Sequence, residues 1–393
     1  MNILHVVHSY YPAVRYGGPI RSVANLCAGL RELGHSSTVC TTDSDSFGPV
    51  EVPLDGPAEV DGTTVHYFRC PGWHYSAFSP AMERWLKHNA GRFDLVHIHG
   101  VWTFPQRYAA RAARRAGVPY VISPRGMADA RIARKRLGIS KWVYIRLYDR
   151  TNLAQANMIH YTAPGEQEHS LLKGRERATC VVPNPVEPLH VAADAGDADE
   201  GSPLPEGFLE SDYILSVGRL AWTKGIDILI KAMGKLGEEY ADVRLAVVGP
   251  DTENLQADLT ALAAQEGVAD RVFFLGTQKG TRLQRLYRSA KLVAAPALSE
   301  GFGNTVAEAL LEGVPVVASD AVGLATFPEI LEHIKVCDTG PASVGLAILL
   351  VLREQERWRE SAAQACRVLK ENFSARAVAA RLVENYSGLR PGS

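Results

Sequence analysis

The chain has 393 residues, a formal net charge of −1, 46% hydrophobic and 22% charged residues, which suits a globular protein of two domains and excludes a global polyanion binder. Its six cysteines have no C-x-x-C spacing and no clustered histidines, so they read as reduced, buried thiols of a cytoplasmic protein and not as a zinc site. No apolar run is long enough to span a bilayer, and the opening Met1-Asn2-Ile3-Leu4-His5-Val6-Val7 lacks the basic start of a leader and reads as a strand.

In chain order, short apolar runs predict strands at Ile3–Val7, Thr38–Thr41, Val65–Phe68, Leu95–Ile98, Tyr120–Ile122, Met158–Tyr161 and Cys180–Val182. Amphipathic stretches between them, such as Ile20–Leu33 and Gln106–Ala116, predict helices, the second with alanines on one face and arginines on the other. This alternation implies a parallel sheet covered by helices on both faces. The first strand runs on through His8 to Gly17-Gly18-Pro19, a tight turn at a helix start that either brings backbone close to a ligand or simply turns. The segment is not G-x-G-x-x-G, and no acid stands where a dinucleotide ribose needs one, so a nicotinamide enzyme is disfavoured.

The fourth strand ends in His97-Ile98-His99, with both histidines on one face and His99 nearest the carboxyl end, where ligands bind in doubly wound sheets. His99 is a ligand-side residue or a satisfied structural one, and no third ligand completes a metal pair. Arg125, in Ser123-Pro124-Arg125-Gly126, places a cation at the end of the next strand. From Val101 to Arg150 the chain carries twelve Lys/Arg against Asp129 and Asp149, a local charge of +10. The Arg107–Arg150 region reads as solvated helix faces or as a basic surface for an anionic membrane or a phosphorylated acceptor. Trp142, Tyr144 and Tyr148 suit either a membrane interface or a packed helix. No nucleic-acid motif accompanies the charge, and no nucleic-acid partner is expected.

Pro183 to Glu210 is rich in Pro, Asp, Ala and Gly and reads as an interdomain linker with a surface excursion. The pattern then restarts, with strands predicted at Tyr213–Val217, Arg244–Val248, Val272–Leu275, Leu292–Ala295, Pro315–Ala318 and Ile334–Val336. A helix from Ile226 carries Ile226, Leu229, Ile230 and Met233 on one face, and Ser374 caps a last helix. The expected architecture is α/β, two doubly wound Rossmann-like domains facing across a cleft: residues 1–185, a linker at 186–211, residues 212–373, and a C-terminal helix in 374–393 drawn as crossing back to the first domain.

The most informative stretch is Ser299-Glu300-Gly301-Phe302-Gly303-Asn304-Thr305-Val306-Ala307-Glu308, two carboxylates eight positions apart around a glycine-rich helix start. A helix start offers unpaired N–H groups and partial positive charge to phosphate, while the carboxylates accept from hydroxyls. The combination fits a nucleotide-sugar. Some eighty residues earlier, Gly218-Arg219 and Lys224-Gly225 bracket another helix start, and the two cations together can hold a diphosphate. Glu308 has a competing explanation: with Thr305 as N-cap it would stand at N3 of a capping box. Glu300, in a loop, has no such duty.

These residues resemble glycosyltransferase family 4, retaining transferases of GT-B fold in bacterial cell-surface polysaccharide synthesis, along nearly the whole chain. Gly17-Gly18, Val182-Pro183-Asn184-Pro185, Gly218-Arg219 with Lys224-Gly225, Glu300 through Glu308, and Gly313-Val314-Pro315-Val316-Val317-Ala318 match in order. The resemblance implies that Glu300 accepts from donor-sugar hydroxyls, that Glu308 binds ribose, and that Arg219 and Lys224 clamp the diphosphate with backbone of Gly301, Phe302, Gly303, Asn304 and Thr305. It implies that Gly17 and Gly18 approach the donor phosphate, and that His99 lies beside the reacting sugar. Where many members carry a histidine near the sugar, this chain has Arg125, so His99 and Arg125 are both acceptor-side candidates. The implied donor is a UDP- or GDP-sugar, the acceptor a saccharide or lipid-linked saccharide, and no metal or other cofactor is expected. The implied location is cytoplasmic, peripheral on the inner face of the membrane. A nucleotide-sugar 2-epimerase and a non-catalytic nucleotide-sugar-binding subunit remain as alternatives.

Overall fold

Strands that bury both faces against helices read as continuous apolar runs, and here they assemble two separate sheets. The computed structural model describes residues 1–13, 17–45, 48–72, 74–132, 150–189 and 201–389. Trp142, Tyr144, Tyr148 and most of the basic charge beyond Arg131 lie outside them. The chain divides into two units, one of residues 1–185 with 373–393 and the other of 186–372.

The first unit has strands β1 (Asn2–Val6), β2 (Ser36–Thr42), β3 (Pro57–Val60), β4 (Thr63–Phe68), β5 (Leu95–His99), β6 (Tyr120–Ser123), β7 (Met158–Tyr161) and β8 (Thr179–Val181). Their order in the sheet is β3-β4-β2-β1-β5-β6-β7-β8. All pairs are parallel except β3 with β4, a hairpin that the sequence reading omitted. Its two-residue turn is Asp61-Gly62, with φ of 49° and 70°, the positive-φ pair that a type I′ turn requires. Helices α1 (Gly18–Glu32), α2 (Pro80–Asn89) and α3 (Phe104–Ala116) cover the sheet. In α3 the alanines Ala109, Ala110, Ala112 and Ala113 are buried with Met82 and Leu86 of α2, and the small side chains let the helix lie close to β5.

The second unit is a six-stranded parallel sheet, built from β9 (Tyr213–Val217), β10 (Arg244–Val248), β11 (Val272–Phe274), β12 (Leu292–Ala295), β13 (Val316–Ser319) and β14 (Lys335–Cys337). The order is β11-β10-β9-β12-β13-β14. Helices of eight residues or more are α4 (Ile226–Met233), α5 (Gln256–Gln265), α6 (Gly280–Ser289), α7 (Asn304–Leu311), α8 (Pro341–Arg353) and α9 (Gln355–Asn372). The apolar stripe of α4, Ile226, Leu229, Ile230 and Met233, is buried in the core with Ile214 and Leu245, as its spacing predicts. Each such side chain stabilises the unit by about 1.5–3 kcal/mol. Within the stretch read as a linker, Phe208 is buried against Tyr213 and Phe273, and Gly201 bridges to Gln278.

The last helix, α10 (Ala375–Ser387), belongs to the first unit, and Ser374 caps it by accepting from the N–H of Ala377. Its Val378, Ala379, Leu382 and Tyr386 join Leu26 and Leu30 of α1 over β1, β5 and β7. The helices meet at Gly29, where a Cβ would stand 2.1 Å from the carbonyl oxygen of Ala375. In each sheet the strand order reverses once, between β1 and β5 and between β9 and β12. The crevice outside the carboxyl ends of those strands is where a doubly wound sheet accepts ligands.

Candidate active site

At the β9/β12 reversal, glycines position the charged side chains. Gly249 packs its α-carbon on the Gly218 carbonyl, so that a Cβ there would lie 1.9 Å from the oxygen, and β9 and β10 end together. Beyond Arg219, residues 222–224 form one helical turn that stops at Gly225, φ 68°. A Cβ on Gly225 would lie 2.1 Å from the carbonyl oxygen of Pro296, and the N–H of Leu298 bonds the carbonyl of Thr223 at 2.8 Å. This seam brings Lys224 to the loop after β12, where its Nζ donates to Oε2 of Glu300 in a partly buried ion pair.

The Glu300 loop is fixed from below. Its backbone pairs with the segment after β13, through the N–H of Glu300 to Ala321 and the N–H of Gly323 to Glu300. The ring of Phe302 is buried edge-on to Phe327 and anchors the loop. Gly303, φ 101°, is the N-cap of α7, and no side chain caps this helix start. The capping box expected from Thr305 and Glu308 is therefore not formed: α7 begins two residues earlier than that reading required, which places Glu308 in the second turn. Glu308 is buried instead and accepts the hydroxyl proton of Tyr287 at 2.9 Å. A pocket of about 450 Å³, counting its open mouth, is lined by Gly218, Arg219, Lys224, Glu300, Gly303 and Thr305 among others, a size suited to a small-molecule site. Glu308 does not line it; Asn304 and Gly301 stand half-buried beside it.

At the β1/β5 reversal the chemistry differs. Gly17, φ 73° and exposed, is the N-cap of α1, and Gly18 opens the helix. His5 on β1 and His97 and His99 on β5 are buried within reach of one another. Hydrogen bonds account for the cluster. Nε and Nη2 of Arg125, donors only, lie 3.2 and 2.9 Å from Nδ1 of His99, which must be the acceptor. Its Nε2–H then donates to Nδ1 of His5 at 3.1 Å. In a second chain the hydroxyl of Tyr386 donates to Nδ1 of His97 at 2.8 Å, His97 Nε2 faces Nδ1 of His160 at 3.4 Å, and His160 Nε2 donates to the carbonyl of Val182 at 2.8 Å. Burial, seconded by the charge of Arg125, lowers His5 to about 3; burial lowers His160 to about 3 and pushes His97 and His99 well below the usual range. All four rings are neutral at physiological pH. Burial also lowers Arg125, to about 10, so it stays charged.

The structure thus brings Arg219, Lys224, Glu300, Gly303 and Thr305 together in one unit, and His99 with Arg125 in the other. Sequence reasoning missed His5, His160, Glu166 and Tyr386, and gave Asn184 no role beyond its place in a matching motif. A histidine in the middle of three buried parallel strands was the available signal, because a buried imidazole needs partners on both nitrogens.

Two family models match this chain: Glycosyl transferase 4-like domain over residues 17–185 and Glycosyl transferases group 1 over residues 205–365. The chain is a glycosyltransferase: both models describe such enzymes, and between them they span most of it. This glycosyl transferase is 27% identical over 341 residues to an uncharacterized glycosyltransferase of Methanocaldococcus jannaschii, covering 85% of this chain and 83% of the relative. It is 33% identical over 253 residues to the D-inositol 3-phosphate glycosyltransferase of Salinispora arenicola, covering 60% of this chain and 56% of that relative's length. Among solved structures, Anabaena HepE in complex with UDP and glucose aligns with a TM-score of 0.70 at 18% identity, over 99% of this chain and 100% of that one. The fold is GT-B.

Proposed function

We propose that the protein transfers a sugar, with retention at the anomeric carbon, from a UDP- or GDP-sugar to a saccharide or lipid-linked saccharide in cell-surface polysaccharide biosynthesis. The observation that carries the reading is the convergence of Arg219, Lys224, Glu300 and an uncapped helix start on one pocket at a strand-order reversal. HepE, of like fold, was solved with UDP and glucose, which supports a uridine diphosphate donor.

Transfer builds charge on the departing diphosphate and oxocarbenium character on the sugar. Arg219, Lys224 and the N-terminus of α7 are preorganised to stabilise that charge. Glu300 accepts from donor-sugar hydroxyls and pairs with Lys224. When the diphosphate binds, Lys224 has an anionic partner on either side. Glu308, which accepts from the Tyr287 hydroxyl, serves the ribose. Gly17 and Gly18 let backbone approach the donor phosphate.

The first unit takes the acceptor, with His99 and Arg125 at the carboxyl ends of its central strands. Among the described residues no helix is long and apolar enough to cross a membrane, and a cytoplasmic protein touching an anionic membrane through the Arg107–Arg150 region fits the reading. The deciding experiment offers purified protein a panel of UDP-, GDP- and dTDP-sugars with lipid extract and soluble saccharides. Sugar incorporation supports the transferase. Donor interconversion without acceptor makes it an epimerase, and donor binding without turnover makes it a binding subunit.

A further inference from the structure

Arg125 stands in a backbone conformation that its side chain does not favour. Its φ is 53° and that of Gly126 is 77°, two successive left-handed residues of which only the second is glycine. A buried carboxylate holds this turn. Oε1 of Glu166 accepts the N–H of Gly126 at 2.5 Å, and Oε2 accepts the N–H and the hydroxyl of Thr162, both at 2.6 Å. Glu166 is 8% exposed, so these three bonds are what keep a carboxylate there. It compensates Arg125 through space but spends its oxygens on other donors.

The guanidinium is bound by neutral acceptors only. Nε and Nη2 face the lone pair of His99 Nδ1, and Nη1 donates to Oδ1 of Asn184 at 2.6 Å. Among the described residues no carboxylate pairs with it directly. A half-buried guanidinium held rigid, charged and short of an anionic partner is a fork aimed at an oxyanion, the geometry in which charge-assisted bonds are strongest. It stands at the carboxyl end of β6, one strand from the reversal where doubly wound sheets take ligands.

We propose that Arg125 is the seat for a phosphate group carried by the acceptor, and that Glu166 is the positioning residue that presets it. The proposal rests on the reading that the first unit takes the acceptor. The phosphate belongs either to a soluble phosphorylated saccharide or cyclitol, or to a lipid-linked diphosphate. His99 takes Nε–H and one N–H of Nη2, and Asn184 takes one N–H of Nη1, which leaves one N–H on each terminal nitrogen for phosphate oxygens without displacing His99.

The test observes Arg125 itself. In protein labelled with 15N-arginine, the Nε–H signal of Arg125 is assigned by its loss in Arg125→Lys. The second unit is first saturated with whichever of UDP or GDP binds, so that its own cations are occupied. Inorganic phosphate, a soluble sugar phosphate and a short-chain prenyl diphosphate are then titrated in turn. A saturable shift of this signal is expected. Arg125→Gln weakens phosphate binding about tenfold or more, the scale of one charged hydrogen-bond set. Glu166→Gln, which turns an N–H group towards an N–H donor, moves the Arg125 signal and weakens binding severalfold while nucleotide affinity holds. If that variant does not fold, Thr162→Ala removes one of the three bonds and gives the milder displacement. The stronger of the two organic phosphates identifies the source. An Arg125 signal that no phosphate moves, or a folded Glu166 or Thr162 variant that binds phosphate as the parent does, overturns the seat. Failure to bind any nucleotide sinks the donor reading instead, and the same samples report it.

Discussion

The two strand-order reversals of this protein use the same topology for opposite electrostatics. At β9/β12 the charged groups reach an open pocket: a lysine and a glutamate paired at its wall, an arginine beside them, and a helix start with no side-chain cap. At β1/β5 the polar groups are turned inward, four neutral histidines relaying hydrogen bonds from Arg125 and Tyr386 to Ser37 and the backbone of Val182. One reversal is prepared to meet charge that a ligand brings. The other builds a rigid neutral floor under a single cation. A parallel sheet supplies the crevice in both cases, and the side chains at the strand ends decide what enters it.

The comparison breaks most sharply at Glu300. Glu300→Gln keeps the size of the side chain but loses the ion pair with Lys224, and turnover is expected to fall by about 100-fold or more while nucleotide affinity stays within a few-fold. Steady-state kinetics beside calorimetric nucleotide titration checks this, and unchanged turnover rejects the assigned role. Next in size, Gly225→Ala forces a positive-φ residue and drives a Cβ into the Pro296 carbonyl, for an expected loss of about 3 kcal/mol and of nucleotide binding. Gly29→Ala makes the matching clash in the first unit, against Ala375. Thermal melts should show similar damage there with nucleotide binding spared, and a loss of binding in both variants would end the claim that the sites are separable.

Acid should act on the first unit. The four histidines have folded pKa values below the unfolded one, so below about pH 6.5 the unfolded chain binds more protons and stability falls as pH drops towards 3. Each ring contributes a slope of up to about 1.4 kcal/mol per pH unit. Urea melts at pH 7.5 and 5 measure it, and replacing His160 by Gln should flatten the dependence. The smallest effect is expected from Tyr386→Phe, which leaves Nδ1 of His97 without its donor at a cost of about 1–2 kcal/mol. An unchanged melting temperature would show that the link from α10 to the histidine floor carries no stability.

Much of this was legible from local pattern. Buried parallel strands must be continuous apolar runs, and the helix stripe of Ile226, Leu229, Ile230 and Met233 had one face to bury. The glycine-rich loop after β12 stood out as a candidate site because glycines and a carboxylate at a strand end have little structural use together, and the fold sets it on the wall of a pocket. Other failures were local too. The Asp61-Gly62 hairpin was readable from its turn chemistry and was passed over. The capping box at Thr305 had the right spacing but the wrong start, since Gly303 already occupied the N-cap in a conformation that only glycine holds without strain.

What the sequence determined by itself was the repeating pattern of strand and helix and the chemistry at the strand ends, because side-chain period and turn preference act over a few residues. What only the tertiary structure decided was pairing across distance. Lys224 meets Glu300 over 76 residues, His5 meets His99 over 94, Glu166 reaches Gly126 over 40, and Tyr386 reaches His97 over 289. Strand order and the return of α10 create those meetings, and no local preference encodes them. The same separation explains why Arg125 stood out in the sequence only by its place after a strand, while its neutral acceptors His99 and Asn184 appeared with the fold.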